Sequence, residues 1–141
     1  MNPKNKKIHE DSFVIFYENT DSSGLAYHTT YLSFAERARS NLLICKFPDI
    51  VKMLKNNINF FVVKELRVNF IKPSFLFDSL KICTFFVKNT YTSINLVQNV
   101  YSKNIKVCEI FVRLVWIRGS VNRPSKIPSD IISRFKSLEV V

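Results

Sequence analysis

Only one stretch of this chain has the period of a long helix, and segments with the period of strands enclose it. From about Thr29, residues Tyr31, Phe34, Ala35, Ala38, Leu42 and Cys45 recur at spacings of three and four, while Ser33, Glu36, Arg37 and Ser40 fall elsewhere. That pattern predicts an amphipathic helix ending near Lys46, before Phe47-Pro48. Ahead of it, Asp11 to Tyr17 carries the apolar run Phe13, Val14, Ile15, Phe16 and reads as a buried strand. Behind it, Phe60 to Ile71 alternates Leu66, Val68 and Phe70 with Glu65, Arg67 and Asn69, the pattern of a half-buried strand. Leu80, Ile82 and Phe86 define one face of a further strand, with Lys81 and Cys83 on the other. Ser93 to Tyr101 is rich in β-formers, and Lys106 to Arg118 lines up Cys108, Ile110, Val112, Leu114 and Trp116 on one face. Asp49 to Lys55 and Ile131 to Phe135 read as short helices.

One strand, one long helix and four consecutive strands make an α+β chain whose strands pair most simply as antiparallel neighbours. No repeat or Gly/Ser linker divides it, so residues 1–141 are expected to form one domain, with 1–10 as a flexible tail. The helix can cover one sheet face. Phe61, Val63, Phe85, Val87 and Phe111 are expected on the other, where a partner subunit would shield them.

Several function classes fall away on residue content. With two glycines, Gly24 and Gly119, neither a dinucleotide-binding glycine fingerprint nor a P-loop can be written. There is no nucleophile-elbow motif, no paired-cysteine motif and no zinc-ligand spacing. Cys45, Cys83 and Cys108 are odd in number and far apart, as free thiols of a reducing compartment would be, so a cytoplasmic location is expected. Met1 to Lys7 is polar and basic with no apolar stretch behind it, unlike a secretory signal, and no run of about 18 uncharged apolar residues suggests a membrane span. The net charge of +10 comes from 21 basic residues, 14 of them lysine spread along the chain. Aromatic and basic residues do not interleave as a nucleic-acid module, so no nucleic-acid partner is expected.

The densest set of reactive side chains runs from Tyr17 to His28, between the first strand and the long helix. Asp21 supplies a carboxylate and Gly24 permits a sharp or left-handed turn. Tyr27 and His28 stand where the helix opens, so unpaired amides there can face an oxygen that gains negative charge. A carboxylate beside such donors can attack a carbonyl or activate water. The same residues also fit a plain D-x-x-G turn with a surface histidine, and local chemistry leaves both readings open.

Tyr17, Glu18, Thr20, Asp21, Gly24, Tyr27, His28, Tyr31, Phe34 and Glu36-Arg37-Ala38-Arg39 together resemble the signature of the hotdog-fold acyl-CoA thioesterases. The similarity is to the 4-hydroxybenzoyl-CoA thioesterase-like branch, and within it to the Tol–Pal-associated thioesterases of bacteria. Phe61-Val62-Val63, Pro73, Asp78, Leu80 and the Arg123-Pro124 to Ile127-Pro128 tail resemble later landmarks in the same order. The resemblance implies a five-stranded antiparallel sheet wrapped around one long central helix, edge-to-edge homodimers or homotetramers, and active sites at subunit interfaces. It implies hydrolysis of acyl-CoA to free acid and coenzyme A, with no metal or redox cofactor.

By that resemblance Asp21 is the catalytic carboxylate, acting as nucleophile or as general base. His28 marks the helix start whose amide polarises the thioester carbonyl. Gly24 and Tyr27 would shape the acyl approach, with core packing as the other role open to Tyr27. Phe61, Val62, Val63 and Lys64 are expected beside the substrate. A basic residue is expected in the turn where this chain has Thr90, and Lys88, two positions earlier, is the replacement; both are counted as candidate coenzyme A contacts. Glu36 is expected to pair with Arg37, Arg39 or a neighbouring subunit. Arg118 stands where relatives often carry an acid. Two other functions share the pattern: a hotdog 3-hydroxyacyl-thioester dehydratase, and a non-catalytic partner of acyl carrier protein or envelope proteins, the acidic carrier protein being drawn by the +10 charge.

Overall fold

The computed structural model describes residues 5–140. Strand β1 (Lys6–Val14) leads through a single 3₁₀ turn (Tyr17–Asn19) to helix α1 (His28–Lys46) and the shorter α2 (Pro48–Lys55). Then come β2 (Asn59–Phe70), β3 (Ser79–Asn89), β4 (Ser93–Ser102), β5 (Ile105–Arg118), the two-residue β6 (Arg123–Pro124) and α3 (Ser129–Ser137). The five long strands form one antiparallel sheet in the order β1-β3-β4-β5-β2, with β6 paired to β5. This is the hotdog arrangement of a curled sheet around a central helix, with two short helices added.

α1 starts at His28, one residue before the expected position, with Tyr27 as its N-cap, and ends at Lys46, after which Phe47 caps it and Pro48 opens α2. Tyr31, Phe34, Ala35, Ala38 and Leu42 are buried as the spacing requires, and the small Ala35 and Ala38 let the helix approach the sheet closely. Cys45, assigned to the same stripe, is exposed, because the helix end turns it away from the core. Two clusters result. Ile15, Tyr31, Phe34, Leu80, Ile82 and Ile110 pack beneath the first half of α1. Leu42, Phe47, Ile50, Trp116, Ile131 and Phe135 close the other end, where Phe47 and Phe135 stack with ring centroids 4.3 Å apart. Each fully buried large side chain contributes about 1.5–3 kcal/mol of transfer free energy.

β1 begins at Lys6, so residues 6–10 belong to the sheet rather than to a tail; 1–4 lie outside the described residues. Its ladder with β3, from Lys6 opposite Phe86 to Val14 opposite Ser79, holds this segment in place. The strand ends before Phe16 and Tyr17, which are exposed.

The expected facing of β2 needs the larger correction. A bulge between Val63 and Glu65 inserts Lys64 as an extra residue. Phe61 lies opposite Trp116 before the bulge, and Leu66 lies opposite Val112 after it. Phe61 and Val63 therefore share the helix-side face with Leu66 and Val68. Phe61 packs on Trp116 with centroids 4.8 Å apart, instead of lying on the outer face. Phe85 and Phe111 do lie on the outer face, in a cross-strand row with Val97 and Arg67. Part of their cover is internal, since the Arg67 guanidinium sits 4.1 Å from the Phe111 ring centroid.

Candidate active site

The segment joining β1 to α1 is tied down at both ends. Thr20 bridges Ala26, and the Asp21 amide donates to the Leu25 carbonyl at 2.9 Å. The Asn19 carbonyl accepts the Tyr27 amide at 2.9 Å and the Thr30 hydroxyl at 2.8 Å, which fixes the loop to the first turn of α1. On its other side the Ala26 amide donates to the Ser74 carbonyl, and the Leu76 amide to Gly24, both at 2.9 Å. Gly24 has φ +81° with no atom within 4 Å of a built Cβ, so backbone conformation, not space, requires glycine there.

Three donors converge on one oxygen of Asp21. Oδ1 accepts the Ser23 amide at 2.8 Å, the Ser23 hydroxyl at 2.5 Å and the Leu25 amide at 3.2 Å. The hydroxyl of Ser23, with those amides, holds the carboxyl below the usual carboxylate range. Asp21 is therefore an anion at neutral pH. None of these donors occupies Oδ2.

Tyr27 caps α1 without a side-chain hydrogen bond, and no acidic residue lies in the first turn. The amides at this helix mouth carry the positive end of the helix dipole. The His28 ring meets the Phe70 ring edge-on at 6.2 Å, and Tyr31 meets the same ring at 5.8 Å. These side chains, with Ala26, Ile71 and Pro73, line a hollow of about 280 Å³. Ala26 is the bridge partner of Thr20, so the Asp21 backbone runs alongside this wall. Burial pushes the Tyr31 phenol up. The Ser74 hydroxyl is buried beside the Tyr31 phenol.

Of the other expected site residues, Val62, Lys64, Lys88 and Thr90 fall on the opposite side of the sheet. Val62, Lys64 and Thr90 line a groove of about 540 Å³, together with Ser93, Arg113 and Pro124. The Thr90 hydroxyl is used by its own turn, bonding Ser93 Oγ at 2.6 Å and accepting the Ser93 amide at 3.1 Å. Lys88 is exposed in the same cross-strand row as Asn95, Arg113 and Glu65. Arg113 is held from two sides: Nε donates to Asn95 Oδ1 at 3.1 Å, and a terminal nitrogen lies 3.1 Å from Glu65. Neither Phe61, packed inside, nor Val63, on the helix-side face, lines this groove. Tyr27 is half-exposed, which removes core packing as its role. Glu36 is exposed and makes no ion pair among the described residues, while Arg39 is buried and donates to Gln98 Oε1 at 2.7 Å.

Sequence reasoning missed Ser23, Phe70 and Arg113. Ser23 was recognisable as the second residue after an aspartate in a turn, the position from which amide and hydroxyl reach back. Arg113 shared its strand face with Glu109, and only the register shows that it meets Asn95 and Glu65.

Fold and loop together define a hotdog domain whose β1–α1 loop carries an anionic carboxylate and is bonded to the first turn of α1. Residues 23–109 match the thioesterase superfamily, and the chain belongs to that family of thioester hydrolases. It is 32% identical over 131 residues to the acyl-CoA thioesterase YbgC of Helicobacter pylori, covering 88% of this chain and 94% of that one. It is 29% identical over 123 residues to the acyl-CoA thioester hydrolase YbgC of Escherichia coli, covering 86% and 91%. A 1,4-dihydroxy-2-naphthoyl-CoA thioesterase from Synechocystis shares the fold with a TM-score of 0.84 at 11% identity, over 94% of this chain and 98% of that one.

Proposed function

We propose that the protein hydrolyses acyl-CoA thioesters to the free acid and coenzyme A, with Asp21 as the reacting carboxylate. The observation that carries this reading is the Asp21 side chain, kept anionic by Ser23 and Leu25 on a loop bonded to the mouth of α1. A thioester carbonyl directed at the His28 end of the helix would gain stabilisation as its oxygen becomes negative. Asp21 then acts in one of two ways. Its oxygen attacks the carbonyl carbon, the C–S bond breaks with the electron pair leaving on sulfur, and water hydrolyses the resulting anhydride. Alternatively it takes a proton from a water whose oxygen attacks the same carbon, the C–S bond breaks with its electron pair leaving on sulfur, and the proton passes to that thiolate. Neither route calls for a metal or redox cofactor.

The outer groove suits the coenzyme A end of the substrate. Lys64 and Arg113 supply positive charge for phosphate, Lys88 adds a third cation nearby, and Val62 and Pro124 offer apolar contact. Strand β2 supports a homodimer or homotetramer. It is an end strand of the sheet, and its helix-side residues Val63, Leu66 and Phe70 remain 41–49% exposed. A second copy paired along β2 would cover them and set its own residues beside the hollow at His28. The three free thiols fit a cytoplasmic setting.

The test is release of free thiol from a panel of short, long and aromatic acyl-CoAs by the wild type and by Asp21→Asn. A loss of at least about 100-fold in kcat is expected. Equal rates would remove Asp21 from the mechanism. Formation of an enoyl thioester without thiol would replace hydrolysis by dehydration.

A further inference from the structure

Two segments far apart in sequence meet at one end of the molecule: the turn after α2 and the turn between β5 and β6. The Gly119 amide donates to the Ile58 carbonyl at 2.8 Å, and a Cβ on Gly119 would lie 2.0 Å from the Asn57 carbonyl oxygen. This contact holds Ile58 and Val121 at the same end, 52% and 56% exposed. Leu54, on the last turn of α2, is 52% exposed, and Ile44 borders a shallow hollow shared with Lys52 and Lys55. Large aliphatic side chains left in water on adjoining turns mark a surface with an occupant.

The charge at this end has one sign. Between residues 44 and 58 the only acid is Asp49, and Arg134 takes both of its oxygens at 2.8 and 2.9 Å. Between residues 115 and 128 there is no acid. Lys52, Lys55, Arg118 and Arg123 make no ion pair among the described residues. A two-fold contact between copies through this end would set these cations against their own kind.

We infer that this end is a docking surface for an anionic lipid bilayer, with Leu54, Ile58 and Val121 entering the apolar boundary and the cations at headgroup depth. The inference is independent of the catalytic reading, and it gives Arg118 a role. It also explains why apolar and cationic side chains are combined at one end: a soluble polyanion would use only the charges.

Sedimentation with phosphatidylcholine vesicles, with and without phosphatidylglycerol, tests it on the full chain. Binding to the phosphatidylglycerol vesicles alone is expected, weakening as salt rises. Lys52→Gln with Lys55→Gln should lower that binding about tenfold or more. Leu54→Ser with Val121→Ser should also weaken it at constant salt, with acyl-CoA hydrolysis unchanged in both variants. Three results would each overturn the inference: no binding, or equal binding to both vesicle types; wild-type binding by the serine variant, which would indicate a soluble polyanion site; and loss of the oligomer in light scattering for the serine variant, which would assign the surface to a second copy.

Discussion

Ser23 donates twice to the same oxygen of Asp21, through its amide at 2.8 Å and its hydroxyl at 2.5 Å. Both bonds favour the carboxylate over the acid, and the carboxyl pKa lies below its ordinary value for that reason. Activity that needs the anion is present above this pKa and is lost as pH falls through it. Ser23→Ala removes the hydroxyl, so the acid limb of the kcat/KM profile should move to higher pH while the neutral plateau changes less. An acid limb at the wild-type pH would separate Ser23 from Asp21.

Arg113 is oriented by Asn95 and Glu65 at the margin of the outer groove. If the groove holds the phosphates of coenzyme A, Arg113→Ala should raise KM about tenfold and leave kcat within about twofold. Steady-state kinetics with an acyl-CoA and with the same acyl group on a short thiol lacking phosphates check this. The phosphate-free substrate should show no difference between the two proteins.

The buried Arg39–Gln98 pair predicts stability rather than rate. Gln98 accepts from Arg39 at 2.7 Å and donates to the Ala35 carbonyl at 2.9 Å and to Thr84 Oγ1 at 3.1 Å. Burial pushes the Arg39 pKa down, a sign that the cation is poorly solvated. Gln98→Leu strands the guanidinium in this setting and should cost about 2–3 kcal/mol in urea unfolding. The double variant Gln98→Leu with Arg39→Met should recover much of that loss, because the uncompensated charge is gone. A double variant no more stable than the single one would refute this.

At Gly119 space is decisive. Its missing side chain admits the Asn57 carbonyl to 2.0 Å of where a Cβ would stand. Gly119→Ala must push two backbone segments apart, and should cost about 3 kcal/mol, or about 10 °C in Tm. Gly24→Ala meets no neighbour and pays only for its φ of +81°, about 1–2 kcal/mol. Thermal melts should rank the two variants in that order.

The long helix, the strand sequence and the loop carrying Asp21 were legible because each depends on local spacing. α1 begins one residue from the expected start, and the alternation from Leu66 to Phe70 survives intact. His9 and the rest of 6–10 looked like tail because their polar residues carry no period, while their order comes from pairing with β3. Phe61 was assigned to the wrong face because alternation, carried back from Leu66, cannot register the extra residue at Lys64. That bulge is set by the partners across the ladder, where Val63 meets Leu114 and Glu65 meets Arg113. Local chemistry thus dictated which elements form and which loop carries the carboxylate, since turn and period preferences act over a few residues. The face of Phe61, the clamp on Arg113 and the cationic end built by Gly119 against Asn57 were decided by contacts between residues 18 to 62 positions apart, which exist only once the chain has closed on itself.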